Sequence, residues 1–313
     1  MTTESDKTRE FWGRPESTSE RYGRGIHWVE SKIVMEYVNE QISGSTETGW
    51  LEYACNKFLA PLKRELVVLS LGCGTGALER QLHKHVRCAY VDAFDISEST
   101  IQQAKESAAK DGLSKVINYQ ISDLNAIELM EDRYDVIFSN SCLHHIKVLE
   151  HLLSECARAL RTGGYLIANE YIGPSRFQLP PDQVGIIDDL LVLLPERYKK
   201  RMALAPGYKL HFSPPDPTLL ASTDPSEAIR SHEILRAVGQ YLKIIEMRPY
   251  GGCILHMLLQ DIAGNFEDGD PRLRALVDIE RRLVRCGYLQ SDFAFFVATK
   301  QSAKEDAGSR EVI

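Results

Sequence analysis

Three glycines at alternate positions, Gly72, Gly74 and Gly76, follow a short apolar run at Leu66–Leu71 and precede a helical pattern. An apolar run that leads through glycines into a helix predicts a buried strand, a tight turn and a helix start. Glycine lets the backbone take positive φ values and approach a ligand closely, and the helix N-terminus offers unpaired N–H groups. The segment is therefore typical of a nucleotide-binding loop. Its shorter match Gly72-x-Gly74-x-x-Ala77 also fits a loose dinucleotide fingerprint.

An acid follows the second predicted strand at a spacing that suits a ribose. Asp95 lies 19 residues after Gly76, where a carboxylate can accept hydrogen bonds from both hydroxyls of an adenosine ribose. Because NAD and S-adenosylmethionine both carry that ribose, Asp95 alone does not separate them. The alternative role for Asp95 is a helix N-cap together with Ser97.

Two further polar segments follow predicted strands: Ser122-Asp123-Leu124 after the third strand and Phe138–His145 after the fourth. With the glycine loop and Asp95–Glu98, they resemble the class I S-adenosylmethionine-dependent methyltransferases over about residues 50–170. The resemblance implies that S-adenosylmethionine is the cofactor. It also implies cofactor contacts at Gly72, Cys73, Gly74, Gly76, Asp95, Ile96, Asp123, Leu124, Asn140 and Ser141. In this set Asp95 would bind the ribose and Asp123 with Leu124 would bracket the adenine; a plain turn residue is the alternative for Asp123.

Methyl transfer is an in-line displacement at carbon, so the acceptor atom must be held opposite the sulfur with water excluded. A general base would help a hydroxyl or ammonium acceptor, and histidine is the usual one. His144 and His256 are the leading candidates, with capping or packing as the alternative for each. Glu170, at the end of the fifth strand, would orient an acceptor hydroxyl or ammonium. The histidines lack a His-x-x-x-His spacing and a paired acid, so the sequence predicts no metal site.

The acceptor is expected beyond the strand ends, and several polar or aromatic side chains are candidates for binding it. These substrate-binding candidates are Tyr22, Tyr171, Arg176, His211 and Arg230. An arginine can clamp a carboxylate or phosphate through two hydrogen bonds. A pair of Glu170 and Arg176 that only holds a lid in place is the alternative.

Alternating strands and helices must bring these residues together. The predicted strands are 66–71, 88–94, 116–120, 134–139 and 165–170, with helices at 77–85, 97–110 and 148–161. This alternation predicts an α/β fold with a doubly wound, mostly parallel sheet that binds ligands at the C-terminal strand ends. Runs at 242–248 and 292–299 complete a seven-stranded, Rossmann-like sheet. An antiparallel seventh strand is implied by the resemblance alone.

The domain boundaries follow from composition. We predict an N-terminal cap segment at 1–50, a methyltransferase domain at 51–300 and a disordered tail at 301–313. Within the domain, a proline-rich stretch at about 172–225 predicts a helical substrate lid, and about 253–287 a helical insertion.

Three local expectations concern these additions. The first ~10 residues are polar and predicted to be disordered. The aromatic and cationic residues between Phe11 and Trp28 either close over the cofactor or pack the cap onto the core. A helix is expected to begin at Asp224-Pro225, with proline at its first position, and to run to about Gly239.

Composition limits the partners. The 313 residues carry 37 Lys+Arg and 44 Asp+Glu, for a net charge of −7, which argues against nucleic acid or an anionic membrane as a main partner. No apolar run reaches the ~18 residues of a membrane span, and the polar start lacks a signal-peptide core, so a cytoplasmic protein is expected. The chain is also expected to be a monomer or a homodimer. The seven cysteines include no Cys-x-x-Cys pair and predict reduced, mostly buried thiols.

The leading functional hypothesis is transfer of a methyl group to an O or N atom of a small polar acceptor. The layout is similar to bacterial small-molecule methyltransferases with an insertion after the fifth strand, met in natural-product or surface-glycan pathways. A NAD(P)-dependent oxidoreductase and a non-catalytic S-adenosylmethionine-binding module are the alternatives. RNA methylation is disfavoured by the acidic balance and by Asn140-Ser-Cys-Leu143 in place of an Asn/Asp-Pro-Pro-aromatic tetrad.

Overall fold

A computed structural model describes residues 3–14, 25–202 and 207–300. Two expectations lie outside these residues: the substrate-binding role of Tyr22 and the disordered tail at 301–313.

A seven-stranded sheet forms the centre of the described structure. The strands are β1 Leu66–Leu71, β2 Cys88–Asp95, β3 Ile117–Ile121, β4 Tyr134–Asn140, β5 Leu160–Tyr171, β6 Lys243–Gly251 and β7 Phe293–Thr299. Their order is β3-β2-β1-β4-β5-β7-β6, and β7 runs antiparallel to both β5 and β6. The predicted doubly wound, mostly parallel sheet is therefore confirmed.

Eleven α-helices flank or extend this sheet in the described part of the chain. They are α1 Glu4–Trp12, α2 Lys32–Ser43, α3 Trp50–Ala54, α4 Ala77–His85, α5 Glu98–Lys110, α6 Leu149–Ala159, α7 Pro181–Leu193, α8 Pro217–Thr223, α9 Ile234–Tyr241, α10 Leu255–Leu259 and α11 Pro271–Arg285. Helices α7 and α8 lie in the proline-rich stretch after β5, and α10 and α11 lie between β6 and β7.

The core fills both faces of the sheet because its central strands are apolar on both sides. Val68, Phe138 and Ile167 are fully buried on one face, and Leu69 and Ile137 on the other. Such two-sided burial is typical of parallel sheets covered by helices. Six of the seven cysteines are buried as free thiols and one is exposed.

The start of the described chain is a helix, so the expectation of disorder is wrong for residues 3–10. Thr3 caps α1 by accepting a hydrogen bond from the Asp6 backbone N–H, and the Asp6 side chain accepts one from the Thr3 N–H. This reciprocal pair is a capping box, which stabilises a helix start even in a polar segment. The signal was present in the sequence as Thr-x-x-Asp.

The helix expected from Asp224 to Gly239 begins later than predicted, at Ile234. The Asp224 side chain accepts hydrogen bonds from the N–H and hydroxyl of Ser226 and so closes a local turn. Aspartate can satisfy nearby backbone groups in a turn as readily as at a helix cap. The residues that follow form a loop that returns to the strand ends.

Candidate active site

The C-terminal ends of the parallel strands meet at one edge of the sheet. Leu71 of β1 pairs with Phe94 of β2 and with Ser139 of β4, and Asn140 of β4 pairs with Asn169 of β5. The segments that follow β1, β2, β3, β4 and β5 therefore lie side by side. We call this edge the strand-end rim.

The glycine loop on this rim needs glycine for two different reasons. Gly72 and Gly76 have φ of +62° and +76°, and a Cβ there would lie 2.6 Å from the Cys142 sulfur or 2.3 Å from the Tyr119 hydroxyl oxygen. Gly74 has φ of +51°, but nothing lies within 4 Å of the position that a Cβ would take there. Positive φ disfavours other residues at all three positions. The open space at Gly74 leaves room for a ligand to approach the backbone.

Glu79 lies beneath this loop as a buried acid, and one of its carboxylate oxygens lacks a hydrogen-bond partner. It is fully buried, and its Oε1 has no hydrogen-bond partner among the described residues. Burial raises the pKa of Glu79 to about 7, although hydrogen bonds from Ser70 and its own backbone N–H oppose the shift. Its ionisation therefore opposes folding near neutral pH.

We expect the stability of the protein to fall as pH rises from about 5 to 8. The pKa of Glu79 is about 7 in the folded chain against 4.5 ordinarily, so the folded state binds the proton more tightly and loses up to about 3 kcal/mol on deprotonation. Urea denaturation of the Glu79→Gln variant should show a smaller decrease than wild type over this range. The exposed Glu106→Gln variant is the control, and an equal decrease in all three proteins would contradict the prediction.

Asp95 joins the second strand end to the glycine loop. Its Oδ2 accepts a hydrogen bond from the Gly74 N–H and its Oδ1 one from the Ser97 N–H, each at 2.9 Å. Ser97, not Asp95, is the N-cap of α5. Burial raises the pKa of Asp95, against these hydrogen bonds. A carboxylate has about four lone-pair positions, so Asp95 retains the capacity to bind ribose hydroxyls.

Replacing Asp95 by alanine should weaken S-adenosylhomocysteine binding at least tenfold, or about 1.4 kcal/mol. The variant loses the acceptor expected to bind the ribose hydroxyls and also the carboxylate that holds the Gly74 N–H. Calorimetric titration measures the effect, with Asp111→Ala as a control because Asp111 lies on the surface at the end of α5. Unchanged affinity in a folded Asp95 variant would remove this residue from the cofactor site.

Asp123 contacts the N-terminal helix. Its Oδ2 accepts a 2.7 Å hydrogen bond from the Ser5 hydroxyl, and its Oδ1 accepts from the backbone N–H of Asn125. The Ser97 hydroxyl donates to the Trp12 carbonyl, and the Trp12 ring packs edge-on against His145 at 5.0 Å between centroids. Helix α1 therefore crosses the strand-end rim. The sequence analysis did not expect the contact of Ser5 with Asp123, whereas Trp12 lies in the segment expected either to close over the cofactor or to pack on the core.

The remaining cofactor candidates lie on the same rim. Cys73 and Leu124 are buried, Ile96 and Asn140 are half-buried, and Ser141 is exposed. Ser141 has φ of +52° and donates its backbone N–H to the Asn169 carbonyl. A non-glycine residue at positive φ is held there at a cost of about 1–3 kcal/mol and often marks a functional turn.

Glu170 is enclosed and binds four protein donors rather than facing an acceptor. Its Oε1 accepts hydrogen bonds from the Ser139 hydroxyl at 2.6 Å and from the backbone N–H groups of Cys142 and Leu143 at 2.8 and 2.9 Å. Its Oε2 lies 2.9 Å from Nδ1 of His144. Glu170 is fully buried, so it is a positioning residue for His144 and not an acceptor-binding group.

His144 and His145 lie in a short 3₁₀ turn after β4. Burial lowers the pKa of His144, but the hydrogen bond and charge of Glu170 raise it above its ordinary value. Burial and the neighbouring His144 lower the pKa of His145. Nε2 of His144 lies 3.7 Å from Oε1 of Glu227, a residue that the sequence analysis did not select.

His256 lies in an aromatic cluster on the other side of Tyr171. Its ring centroid is 5.0 Å from that of Phe293, 5.7 Å from Phe177 and 6.0 Å from Tyr171. Burial lowers the pKa of His256 to about 3, so its imidazole stays neutral at physiological pH. Nδ1 of His256 has no hydrogen-bond partner among the described residues. Trp28 packs in this cluster as well, so this aromatic residue of the cap packs on the core.

Among the substrate-binding candidates that the structure describes, Tyr171 lies between His144 and His256. Its ring centroid lies 6.2 Å from that of His144. Arg176 donates to the backbone carbonyls of Asp224, Pro225 and Glu227, so its guanidinium is used in holding a loop. Because Arg176 makes these hydrogen bonds instead, the alternative ion pair between Glu170 and Arg176 does not form.

The other two candidates lie elsewhere. Arg230 pairs with Glu150 and Glu233, and the His211 side chain is 75% exposed beside Asp188. Each side chain is therefore paired with acids of its own neighbourhood.

In the described residues, no helix is long and apolar enough to cross a membrane.

Comparison with known proteins agrees with the fold and the loop. Residues 69–168 match the family model described as a methyltransferase domain. A demethylmenaquinone methyltransferase of Bacteroides fragilis is 25% identical over 168 residues, which cover 53% of this chain and 68% of the relative. A ubiquinone biosynthesis O-methyltransferase of Coxiella burnetii is 36% identical over 99 residues, which cover 32% of this chain and 41% of the relative.

A solved structure extends the likeness to nearly the whole chain. A geranyl diphosphate C-methyltransferase from Streptomyces coelicolor A3(2), solved with Mg²⁺, geranyl-S-thiolodiphosphate and S-adenosyl-L-homocysteine, covers 96% of this chain and 99% of its own, with a TM-score of 0.57. At 13% identity this likeness establishes the fold. The fold and the glycine-loop rim define a class I methyltransferase domain. Residues 69–168 therefore form a methyltransferase domain, and S-adenosylmethionine is the cofactor.

Proposed function

We propose that this methyltransferase methylates an O or N atom of a small polar acceptor bound beside His144. The observation that carries the proposal is the hydrogen bond between Glu170 and Nδ1 of His144, at the rim formed by the glycine loop and Asp95. A buried carboxylate on Nδ1 fixes the imidazole orientation and makes Nε2 the more basic nitrogen. That nitrogen is then ready to interact with an acceptor hydroxyl or ammonium.

S-adenosylmethionine supplies the electrophilic methyl group. In the proposal, the glycine loop and Asp95 hold its amino-acid and ribose parts, and Asp123 with Leu124 contacts its adenine. Positioning the acceptor and excluding water supply most of the rate in such a displacement. His144 acts on the acceptor rather than His256, because a pKa of about 3 makes His256 too weak a base at neutral pH.

The acceptor side is proposed to be the aromatic cluster around Tyr171 and His256, covered by the segments at about 172–225 and 253–287. The neutral imidazole of His256 can exchange hydrogen bonds without carrying charge. Aromatic walls suit an organic acceptor with a ring or an unsaturated chain. Relatives named for menaquinone and ubiquinone biosynthesis support an organic acceptor of this kind, in a biosynthetic pathway.

The first test is calorimetric titration of the purified protein with S-adenosylhomocysteine and, in a parallel cell, with NAD. We expect micromolar binding of the first and none of the second. An acceptor panel with labelled methyl donor then tests turnover, using phenolic, amine and sugar hydroxyl compounds. Binding of NAD instead of S-adenosylhomocysteine would contradict the proposal, and absence of turnover on every acceptor would favour a non-catalytic module.

A further inference from the structure

We propose that His144, His145 and Glu227 bind one divalent transition-metal ion beside the strand-end rim. One donor atom from each of the three residues lies within 4.8 Å of the other two. Nε2 of His144 and Oε1 of Glu227 are 3.7 Å apart. Two ligands on one tetrahedral zinc ion, each at about 2.0–2.1 Å, would lie roughly 3.4 Å from each other. The His144–Glu227 pair is close to this spacing, and the His145 donor, within 4.8 Å of both, moves closer on binding.

Both imidazoles are already oriented as metal ligands. Nδ1 of His144 is 2.9 Å from Oε2 of Glu170, and Nδ1 of His145 is 3.2 Å from the Ser226 hydroxyl oxygen. Ser226 donates its single hydroxyl proton to Asp224 at 2.6 Å, so its oxygen accepts from the His145 Nδ1–H. In its neutral form each ring therefore carries its proton on Nδ1 and leaves Nε2 with a free lone pair. Outer-shell partners of this kind are typical of metal-binding histidines.

The third ligand lies on a loop that is fixed against the histidine turn. Arg176 donates three hydrogen bonds to backbone carbonyls of residues 224–227, and its own backbone N–H binds the Ala228 carbonyl. The Ile229 N–H donates to the His144 carbonyl at 3.0 Å. Arg176 and Ala228 hold φ of 54° and 47°, a strained state that persists only where surrounding contacts impose it. Glu227 is therefore held close to the histidine pair.

The charges of the site favour a dication. Three acids surround the histidine pair: Glu170 and Asp224 are buried, and Glu227 is partly buried. Arg176 supplies a positive charge to this loop, but its guanidinium binds backbone carbonyls. Oδ2 of Asp224 is buried and has no hydrogen-bond partner among the described residues. Buried carboxylates without compensation are costly, and a divalent ion compensates them.

The ligand set selects the kind of metal. Two imidazoles with one carboxylate suit zinc, iron(II), cobalt(II) or manganese(II), whereas magnesium and calcium prefer all-oxygen sites. Three protein ligands leave at least one coordination position open, as in catalytic zinc sites. The catalytic role of this metal rests on the proposed function. In that role, an acceptor oxygen occupies the open position and is polarised by the ion, while His144 acts on the acceptor as a ligand of the metal.

The test is metal binding by the tag-free, metal-stripped full chain, measured by calorimetry with ZnCl₂ and by the visible absorption of added Co²⁺. We expect one ion per chain, and at least tenfold weaker binding in Glu227→Gln and in His145→Gln. A variant carrying His83→Gln and His85→Gln is the matched control, because it removes a histidine pair from the surface end of α4 and should bind as wild type.

Binding of S-adenosylhomocysteine to the same samples separates the two proposals. Wild type that binds S-adenosylhomocysteine but no metal overturns the metal site alone. Unchanged zinc affinity in both site variants, or loss of binding only in the His83/His85 variant, overturns it as well. Failure of wild type to bind S-adenosylhomocysteine would contradict the proposed function, whatever the metal result.

Discussion

The Glu170→Ala variant is expected to lose about 3–5 kcal/mol of unfolding free energy, the usual cost of removing one partner from a buried ionic contact. Four donors lose their acceptor together: the Ser139 hydroxyl, the N–H groups of Cys142 and Leu143, and Nδ1 of His144. Each buried donor left unpaired costs about 1–3 kcal/mol where water cannot replace the carboxylate. Urea denaturation followed by circular dichroism measures the loss.

Two further variants make this result interpretable. Glu170→Gln keeps the shape and one acceptor oxygen, so we expect a smaller loss of stability but a disturbed His144 and slower methyl transfer. Glu150→Ala removes an acid from the surface cluster around Arg230 and should change stability by no more than about 1 kcal/mol. If Glu170→Ala unfolds at the same urea concentration as Glu150→Ala, the carboxylate does not hold the turn after β4.

Alanine at Gly76 should act mainly on folding, whereas alanine at Gly74 should act mainly on cofactor binding. At Gly76 the new Cβ would lie 2.3 Å from the Tyr119 hydroxyl oxygen and 3.0 Å from the Ala104 Cβ. The left-handed conformation costs about 1–2 kcal/mol, and overpacking adds about 1–3 kcal/mol. We therefore expect Gly76→Ala to lower the melting temperature strongly and to abolish measurable S-adenosylhomocysteine binding.

At Gly74 nothing lies within 4 Å of the new Cβ, so only the conformational cost of about 1–2 kcal/mol applies. The methyl group would occupy space that the cofactor uses, and we expect at least tenfold weaker S-adenosylhomocysteine binding in a folded protein. Thermal denaturation and calorimetric titration of both variants give the comparison. Wild-type affinity in Gly74→Ala would place the cofactor away from this face of the loop.

The central sheet and its cofactor loop were predictable because their signals are local. The run at Leu66–Leu71 is apolar over a strand length and ends in glycines, and the structure has a strand at those residues. Ser97 begins α5 as its position predicted. Each of these assignments depends on residues within one or two turns of each other, where periodicity and capping preferences act.

Other features depended on contacts between distant segments. Asp224-Pro225 has the composition of a helix start, yet Asp224 binds Ser226 and Arg176 ties this segment to the end of β5. Helix α1 had a capping box, but its place across the rim depends on Ser5 meeting Asp123, 118 residues away. The helix and turn preferences of neighbouring residues could not predict these arrangements, because hydrogen bonds between distant segments selected them.

By itself, the sequence determined the fold class, the order of strands and helices through the central sheet, and the glycine and aspartate positions that suit S-adenosylmethionine. Only the tertiary structure decided what the acidic and basic side chains do. It enclosed Glu170 among four donors, used Arg176 to hold a loop, and brought Glu227 to His144 from 83 residues away. The reason is physical: a strand or a turn is selected by neighbouring residues, whereas the role of a charged group depends on which partners burial places around it.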